Sequence, residues 1–517
     1  MQQNAIIRIF LIVALTVSAV AASFQIFSMQ GNVLGNSFRV LTPFAVVIGL
    51  VAPRQAFYLL LVAGGYLDFI KRFMILDSRF TDVDLAFLLG FAPALVAGLT
   101  LKFVFEAISR SPNVSSRDVK LFAITTILCC GLGAAQILAS GELRSAGTAV
   151  NMVAYLYMPL LIPRIFKNAS EMKSLMIAAV IIYLPAALWA VHQAYYGLEA
   201  FEMQYLLSGM TNEVRQLDEE IFRNMGTMVS AHALSMVSSI LAIALIIPIS
   251  WKAGKISLKV WLNPIRLICI WLFLTGAYFT FSRTGWVCAI IAIIAFLCMQ
   301  SRVLTFAAFF CSIAAIVTLY LSADYLLHSR IMVETQSLLF DKFGASAEAR
   351  QMLVLGTLDA RLESMASFAT DPSIWTPFGL KAAGSDAQIN WVHDILTENL
   401  VRIGYIPLSI LVVGFFTGAF LSFRALFRMP RGLHRTMATY FAALALGMMS
   451  GGFSQGVMIL YFPINFFWCM FLGVGYSLVR WQKKLVSEEI ALPEPSAPVR
   501  ATPAYGRMSP LRGASRS

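Results

Sequence analysis

Long apolar runs recur along the whole chain, and they constrain the fold more than any other feature of the sequence. Many extend for about 18 residues or more, which is enough for an α-helix to cross a bilayer. Only 13% of the 517 residues are charged, whereas soluble domains carry about a quarter. The runs are apolar on every face, unlike the alternating strands of a membrane β-barrel. The sequence therefore predicts an all-α, polytopic integral membrane protein.

We expect about 12–14 transmembrane helices in a polytopic membrane domain at 1–480, followed by a disordered cytoplasmic tail at 481–517 that is rich in Pro, Ser, Ala and Arg. The first apolar run resembles a signal peptide, but a retained span fits the charge count of the loops better. Spans are predicted near 6–27, 38–52, 55–70, 84–107, 119–140, 145–163, 173–195, 226–249, 263–281, 284–299, 303–322, 393–423, 436–455 and 457–479.

The distribution of lysine and arginine predicts the orientation. Basic residues cluster in short loops that would all be cytoplasmic if both termini are cytoplasmic. The net charge of +12 then reflects topology and contact with anionic membrane lipid, and no nucleic-acid partner is expected. This orientation places two long loops on the outer side, at 196–225 and 323–392. The second loop has amphipathic stretches that predict short helices.

The stretch "FTFSRTGW" places Arg283 in a tight turn between two apolar runs, at the predicted outer membrane edge. A guanidinium there can bind phosphate in a bidentate manner at any working pH. Ser282 and Thr284 flank it and are expected to contact the same substrate. An arginine that merely anchors a helix end by snorkelling is an equally good interpretation of the position alone. Arg361, in "DARLESMASF" of the long loop, is a weaker candidate of the same kind.

The stretch "NWVHDILTENLVRIGYIP" carries unusual charge at the start of an apolar run. His393 stands where the loop meets the membrane, and a neutral imidazole can accept a proton from a hydroxyl. A helix that begins near 391 would place Asp394, Glu398 and Arg402 on one face. We expect these three residues to contact the substrate, and the carboxylates could also orient the imidazole. The alternative is a charged helix start in which the acids complement the helix dipole.

Other polar residues fit structural interpretations better. Asp68 and Arg72 are spaced as a salt pair on one helix face, and His192, His232, His328 and His434 attract no functional hypothesis. All seven cysteines, Cys129, Cys130, Cys269, Cys288, Cys298, Cys311 and Cys469, fall within predicted spans, so a disulfide framework is not expected. No zinc spacing or phosphate loop is present, and no metal or cofactor is expected.

These motifs together resemble those of the O-antigen ligase and polymerase-type membrane glycosyltransferases. The resemblance rests on the "SRTGW" turn, a long outer loop with an Arg, Trp and Phe-Gly pattern, and a histidine that opens the next span with Gly404 eleven residues later. The usual His-Asn is His-Asp here, with Asp394. Pro407 replaces a second glycine, and Gly379 and Gly384 are farther apart than in the family pattern. The matched region is about 270–415, an O-antigen ligase-related core that includes the loop at 323–392.

The resemblance implies metal-independent, inverting glycosyl transfer on the periplasmic face of a bacterial inner membrane. The donor would be a glycan on undecaprenyl pyrophosphate, and the acceptor another glycan. By position, Arg283 and Arg361 match the residues that hold the pyrophosphate, and His393 matches the residue that activates the acceptor hydroxyl. A chain-length regulator and a flippase are further expected partners.

We expect an exopolysaccharide or O-antigen polymerase of lipid-linked repeat units. Two alternatives of the same class remain: a ligase that transfers the chain to lipid A core, and a related enzyme that acts on protein. A flippase or other transporter of lipid-linked glycans is the alternative from another class.

Overall fold

Helices make up most of the part of the protein that the structure describes, as the apolar runs predict. The computed structural model describes residues 31–111, 114–140, 154–208, 216–218, 221–247, 249–250, 255–256, 262–327, 356–380, 394–429, 433–455 and 462–491. The predicted span at 6–27 therefore lies outside the described residues.

The first half of the chain forms the helices α1 (Val33–Val51), α2 (Pro53–Ile75), α3 (Asp82–Ile108), α4 (Ser116–Ser140), a 3₁₀ turn (Ala154–Tyr157), α5 (Met158–Ile165), α6 (Ala169–Tyr196) and α7 (Ala200–Leu207). The helices α1 and α3 approach closely because glycine lies at their crossing. A Cβ added to Gly49 would stand 2.6 Å from the Leu95 carbonyl oxygen. Small residues at helix crossings are typical of membrane helices.

The second half comprises α8 (Ala231–Ile246), α9 (Pro264–Phe279), α10 (Thr284–Cys298), α11 (Arg302–Leu327), α12 (Gly356–Thr370), a 3₁₀ turn (Pro372–Ile374), α13 (Ile395–Ile403), α14 (Tyr405–Arg428), α15 (Leu433–Gln455) and α16 (Ile464–Ala491). Two short antiparallel strand pairs lie in the connections. One joins β1 (Gln216–Asp218) to β2 (Ile221–Phe222), with Gln216 opposite Phe222. The other joins β3 (Ile249–Ser250) to β4 (Lys255–Ile256), with Ile249 opposite Ile256.

Several helices have the length and composition of membrane spans. Five qualify among the described residues: Val33–Val51, Asp82–Ile108, Ser116–Ala135, Ser170–Tyr196 and Arg302–Leu326. Shorter apolar helices accompany them. Large apolar side chains such as Ile127, Ile181 and Leu321 are exposed on these helices. Apolar exposure repeated along so many helices is typical of contact with lipid. The prediction of a helical chain with several helices that are long and apolar enough to cross a membrane is confirmed, and the number of 12–14 spans stays a prediction.

One large hydrophobic core joins most of the helices, and a smaller cluster lies beside it. The large core includes buried residues from α1 to α3, α5, α6, α8 to α10 and α14 to α16. The smaller cluster packs α12 against α11 through Tyr320, Leu362 and Met365. Short helices were predicted in the loop at 323–392, and α12 confirms the one in "ARQMLVLGTLDARLESMASF". The other stretch, "HSRIMVETQSLLFDKF", lies outside the described residues.

Two predicted boundaries were wrong. The run at 393–423 is not one helix, because Gly404 adopts φ +84° and ends α13 before α14 begins. The tail was predicted to be disordered from residue 481, but α16 continues to Ala491. The extension "WQKKLVSEEIA" consists largely of good helix formers, which explains why the helix does not stop with the apolar run.

Several helix ends meet on one side of the bundle. The start of α10 lies against the start of α8, where a Cβ on Gly285 would stand 2.5 Å from the Ser235 carbonyl oxygen. The end of α15 reaches the same place, since Gly451 faces Met236 of α8. The connection at 299–301 is short, so α11 runs back toward this side. We call it the turn end, after the turn at 280–283.

Candidate functional site

The turn at 280–283 joins α9 to α10 and is held by its own polar groups. Thr280 ends α9, and its hydroxyl donates to the Ala277 carbonyl at 2.7 Å and accepts from the Ser282 backbone N–H at 3.2 Å. Phe281 has φ +52°, which is uncommon for a residue with a side chain. The tight turn predicted from "FSRTG" is confirmed, and it keeps Ser282 buried while Arg283 is exposed.

The segment before α8 packs onto this turn. The Asn224 side-chain amide donates to the Phe279 carbonyl at 3.0 Å. The Ser235 hydroxyl donates to the Ser282 carbonyl at 3.1 Å. Gly285 has no side chain, and this allows α8 to approach the turn closely. The carbonyls of Phe279, at the end of α9, and of Ser282, in the turn, are thereby held by side chains from another part of the chain.

His232 contacts Ser282, although it attracted no functional hypothesis from the sequence. Its Nδ1 lies 2.7 Å from the Ser282 hydroxyl oxygen, and its Nε2 lies 3.0 Å from a terminal nitrogen of Arg223. His232 and Ser282 are 50 residues apart in the chain, so no local pattern links them. A polar residue inside an apolar run was the available signal, because such residues are usually functional.

Asp394 is fully buried and caps α13. Its carboxylate accepts the backbone N–H groups of Leu396 and Thr397 at 3.1 and 2.9 Å. It also accepts the hydroxyls of Tyr320 from α11 and Ser364 from α12. The prediction that Asp394 lies on the helix face was wrong, because a helix-capping conformation places it before the first turn. The carboxylate ties three helices together.

Glu398 and Arg402 form the ion pair that their spacing predicts. Their side chains are 2.8 Å apart on α13, with Glu398 buried and Arg402 partly exposed. The charge of Glu398 is therefore compensated within its own helix. Arg402 presents the exposed part of its guanidinium near the end of this helix, where a basic group also complements the helix dipole.

Gly379 and Gly404 lie against each other. A Cβ on Gly404 would stand 2.5 Å from the Gly379 nitrogen, and a Cβ on Gly379 would stand 2.5 Å from the Arg402 carbonyl oxygen. Both glycines have positive φ. The Leu380 backbone N–H donates to the Val401 carbonyl, and the Tyr405 backbone N–H donates to the Thr376 carbonyl. These hydrogen bonds join the segment around Gly379 to the segment around Gly404. This contact fixes the part of the long loop around Gly379 to the end of α13.

Two predicted catalytic residues have no described side-chain geometry. Arg361 lies on α12, in the same helix as Ser364, which contacts Asp394. His393 lies outside the described residues, directly before Asp394 in the chain. The approach of His393, Arg361 and Arg283 to one another stays a prediction. Thr284 is buried at the first position of α10.

A second polar cluster surrounds Arg72 and contacts the segment that precedes α8. The buried guanidinium of Arg72 binds Glu202 at 2.7 Å, Asp68 at 3.3 Å and the Gly226 and Met228 carbonyls. The pairing of Asp68 with Arg72 is confirmed, and Glu202 of α7 is the partner that spacing could not reveal. Glu202 also accepts hydrogen bonds from Trp189 and Gln193. The cluster anchors the segment that leads to Arg223 and His232.

Among the described residues, no group of His, Cys, Asp and Glu side chains could hold a metal ion. The sequence matches no family model and no curated protein.

Proposed function

We propose that the protein polymerises oligosaccharide repeat units carried on undecaprenyl pyrophosphate into a surface polysaccharide. The reaction would be a metal-independent, inverting glycosyl transfer on the periplasmic face of a bacterial inner membrane. Both termini would be cytoplasmic, 12–14 helices would span the membrane, and the long loop at 323–392 would be periplasmic. The donor glycan, the acceptor glycan and membrane lipid are the proposed partners, together with a chain-length regulator and a flippase.

One observation carries the proposal: an exposed arginine on a rigid turn, at the side of the bundle that α11, α12 and α13 also reach. Arg283 directly precedes α10, so its charge adds to the positive end of a helix dipole. The backbone around it is fixed by Thr280 and Ser235. A guanidinium held on such a turn is suited to bind a phosphate group.

The chemistry follows from the leaving group. The oxygen of an acceptor sugar hydroxyl attacks the anomeric carbon, and the bond from that carbon to the pyrophosphate breaks. Undecaprenyl pyrophosphate leaves with the electron pair, and Arg283 and Arg361 would stabilise its negative charge. The hydroxyl proton would pass to His393, and a positioned base of this kind typically contributes a factor of about a hundred to ten thousand in rate.

The long loop has a role in this scheme. The helix α12 carries Arg361 and is tied to α11 and α13 through Asp394. The contact of Gly379 with Gly404 ties the part of the loop around Gly379 to the end of α13. A loop anchored at both places could cover a membrane-edge site and exclude water, which would otherwise hydrolyse the donor.

The buried charges do not favour the transporter alternative. Transporters place substrate and ion sites in the middle of the membrane. Here the buried Arg72 is compensated by Asp68 and Glu202, and Arg164 is paired with Glu106 and Asp118. Such mutual pairing is typical of charges that hold a fold together.

The test is a deletion strain complemented with Arg283→Ala, Arg361→Ala or His393→Ala. Loss of polymer with accumulation of single lipid-linked repeats supports a polymerase. Long chains that remain on the carrier would instead indicate a ligase. Arg79→Ala is the matched control, because Arg79 is an exposed arginine paired only locally with Asp77 in the connection from α2 to α3. Polysaccharide of normal length in all three variants would exclude the proposed site.

A further inference from the structure

Arg223, His232 and Ser282 form a continuous hydrogen-bonded chain that leads to the turn. A nitrogen of Arg223 lies 3.0 Å from His232 Nε2, and His232 Nδ1 lies 2.7 Å from the Ser282 hydroxyl oxygen. The chain joins three elements: the segment after β2, the first turn of α8, and the turn before α10. Ser282 is 4% exposed, so the last member is buried at the base of the turn.

The direction of every hydrogen bond in the chain follows from the arginine. A guanidinium has donors and no acceptor. The Arg223 nitrogen must therefore donate to His232 Nε2, which needs a lone pair there. The imidazole is then neutral and carries its proton on Nδ1. That proton is donated to the Ser282 hydroxyl oxygen. A protonated or reversed imidazole would place two donors opposite each other.

The Ser282 hydroxyl is consequently left with a proton to donate. Its oxygen already accepts from His232, so its O–H group points elsewhere. Among the residues that the structure describes, this hydroxyl makes no second hydrogen bond. A buried hydroxyl without an acceptor is unfavourable, and a ligand oxygen can supply the acceptor. The next residue in the chain is Arg283, which is exposed and positively charged.

We propose that Arg223 and His232 are positioning residues that hold the Ser282 hydroxyl as a second, uncharged donor to the phosphate oxygens bound by Arg283. The inference rests on the proposed function, since it assigns the same turn to the pyrophosphate of a lipid-linked donor. The Ser282 hydroxyl would fix the orientation of the phosphate group in that site. A guanidinium attracts any anion, whereas a fixed hydroxyl favours an anion with an oxygen at one particular place.

The test measures binding directly and does not depend on catalysis. The purified full-length protein in lipid nanodiscs is titrated with undecaprenyl pyrophosphate, and with undecaprenol as the control for the lipid tail. We expect Ser282→Ala to weaken binding of the pyrophosphate roughly tenfold or more, the usual range for a lost hydrogen bond to a charged group. Binding of undecaprenol should not change.

Substitutions at His232 separate positioning from packing. Asparagine can place an amide N–H near the position of Nδ1, so His232→Asn should keep binding within about threefold of the unsubstituted protein, whereas His232→Ala should approach the loss seen for Ser282→Ala. Ser477→Ala is the structural control. Ser477 is also a buried serine, but it lies on α16 and its hydroxyl donates to the Gly473 carbonyl of the same helix, so binding should change by about twofold or less.

The outcomes distinguish this inference from the proposed function. If Arg283→Ala weakens binding while Ser282→Ala and His232→Ala do not, the hydroxyl chain has no role and the anion site stands. Equal losses for His232→Asn and His232→Ala would mean that the ring acts through packing, which overturns the positioning role. If Arg283→Ala also binds normally, and the Arg283, Arg361 and His393 variants all make polysaccharide of normal length, the proposed site fails as well.

Discussion

Asp394 and Ser282 are both buried polar groups on the side of the bundle where the turn lies, but the contacts around them differ in kind. The carboxylate of Asp394 accepts two backbone N–H groups and two hydroxyls. Three of these donors reach Oδ1 and one reaches Oδ2. A carboxylate has about four acceptor sites, so the protein itself satisfies most of this group. The hydroxyl of Ser282 accepts one hydrogen bond and retains its proton.

The difference teaches how to separate a structural group from a binding group. Both residues were candidates to contact the substrate, and charge alone favours Asp394. Counting the donors and acceptors around each group reverses that order. Asp394 serves to join α11, α12 and α13, whereas Ser282 keeps a donor for a partner that the described residues do not supply.

The largest effect on stability is expected from Asp394→Ala. The substitution removes the cap of α13 and leaves the hydroxyls of Tyr320 and Ser364 without an acceptor. The cap contributes about 1 kcal/mol and each of the two buried hydroxyls about 1 to 3 kcal/mol, so we expect a loss of about 3 to 7 kcal/mol. Unfolding of the purified protein in detergent measures it.

Tyr320→Phe is the matched variant for this prediction. It removes one of the four donors and leaves the carboxylate capped, so it should cost about half as much or less. If Asp394→Ala unfolds at the same midpoint as the unsubstituted protein, Asp394 is not structural. The contrast between a structural Asp394 and a substrate-binding Ser282 would then fail.

The next effect is expected at the junction that follows Asp394 in the chain. Gly404→Ala forces a side chain into φ +84°, against the backbone of Pro377 and Gly379. Strain of this kind costs about 1 to 3 kcal/mol. Gly197→Ala is the control, because Gly197 has a similar φ of +81° and nothing within 4 Å of an added Cβ. Gly404→Ala should lower the unfolding midpoint more than Gly197→Ala, and equal effects would show that the contact with Gly379 contributes nothing.

These residues also show how far the sequence could predict the structure. Apolar runs predicted the helices because burial in lipid requires them. The turn around Arg283 and the pair of Glu398 with Arg402 were local patterns and could be predicted. The end of α13 at Gly404 was not predicted. Gly404 lies against the backbone of Pro377 and Gly379, and the sequence does not reveal that this distant segment packs there.

The partners of the buried polar groups could not be predicted, because each comes from a distant part of the chain. Asp394 finds Tyr320 at a separation of 74 residues, and His232 finds Ser282 at a separation of 50. A local pattern predicts neighbours within one helix face and no further. For the same reason the interpretation of Asp394 as part of a charged helix start was available from the sequence, but its tie to α11 and α12 was not.

The smallest effect on stability is expected from Ser282→Ala, and it is the sharpest test of the comparison. The substitution removes one hydrogen bond between neutral groups, so the free energy of unfolding should fall by about 1 kcal/mol. The same variant should lose affinity for the pyrophosphate lipid. A binding residue shows this combination, with small loss of stability and large loss of affinity, whereas Asp394→Ala should show a large loss of stability. If Ser282→Ala destabilises the protein as much as Asp394→Ala does, the hydroxyl chain serves to hold the turn together, and both buried groups are structural.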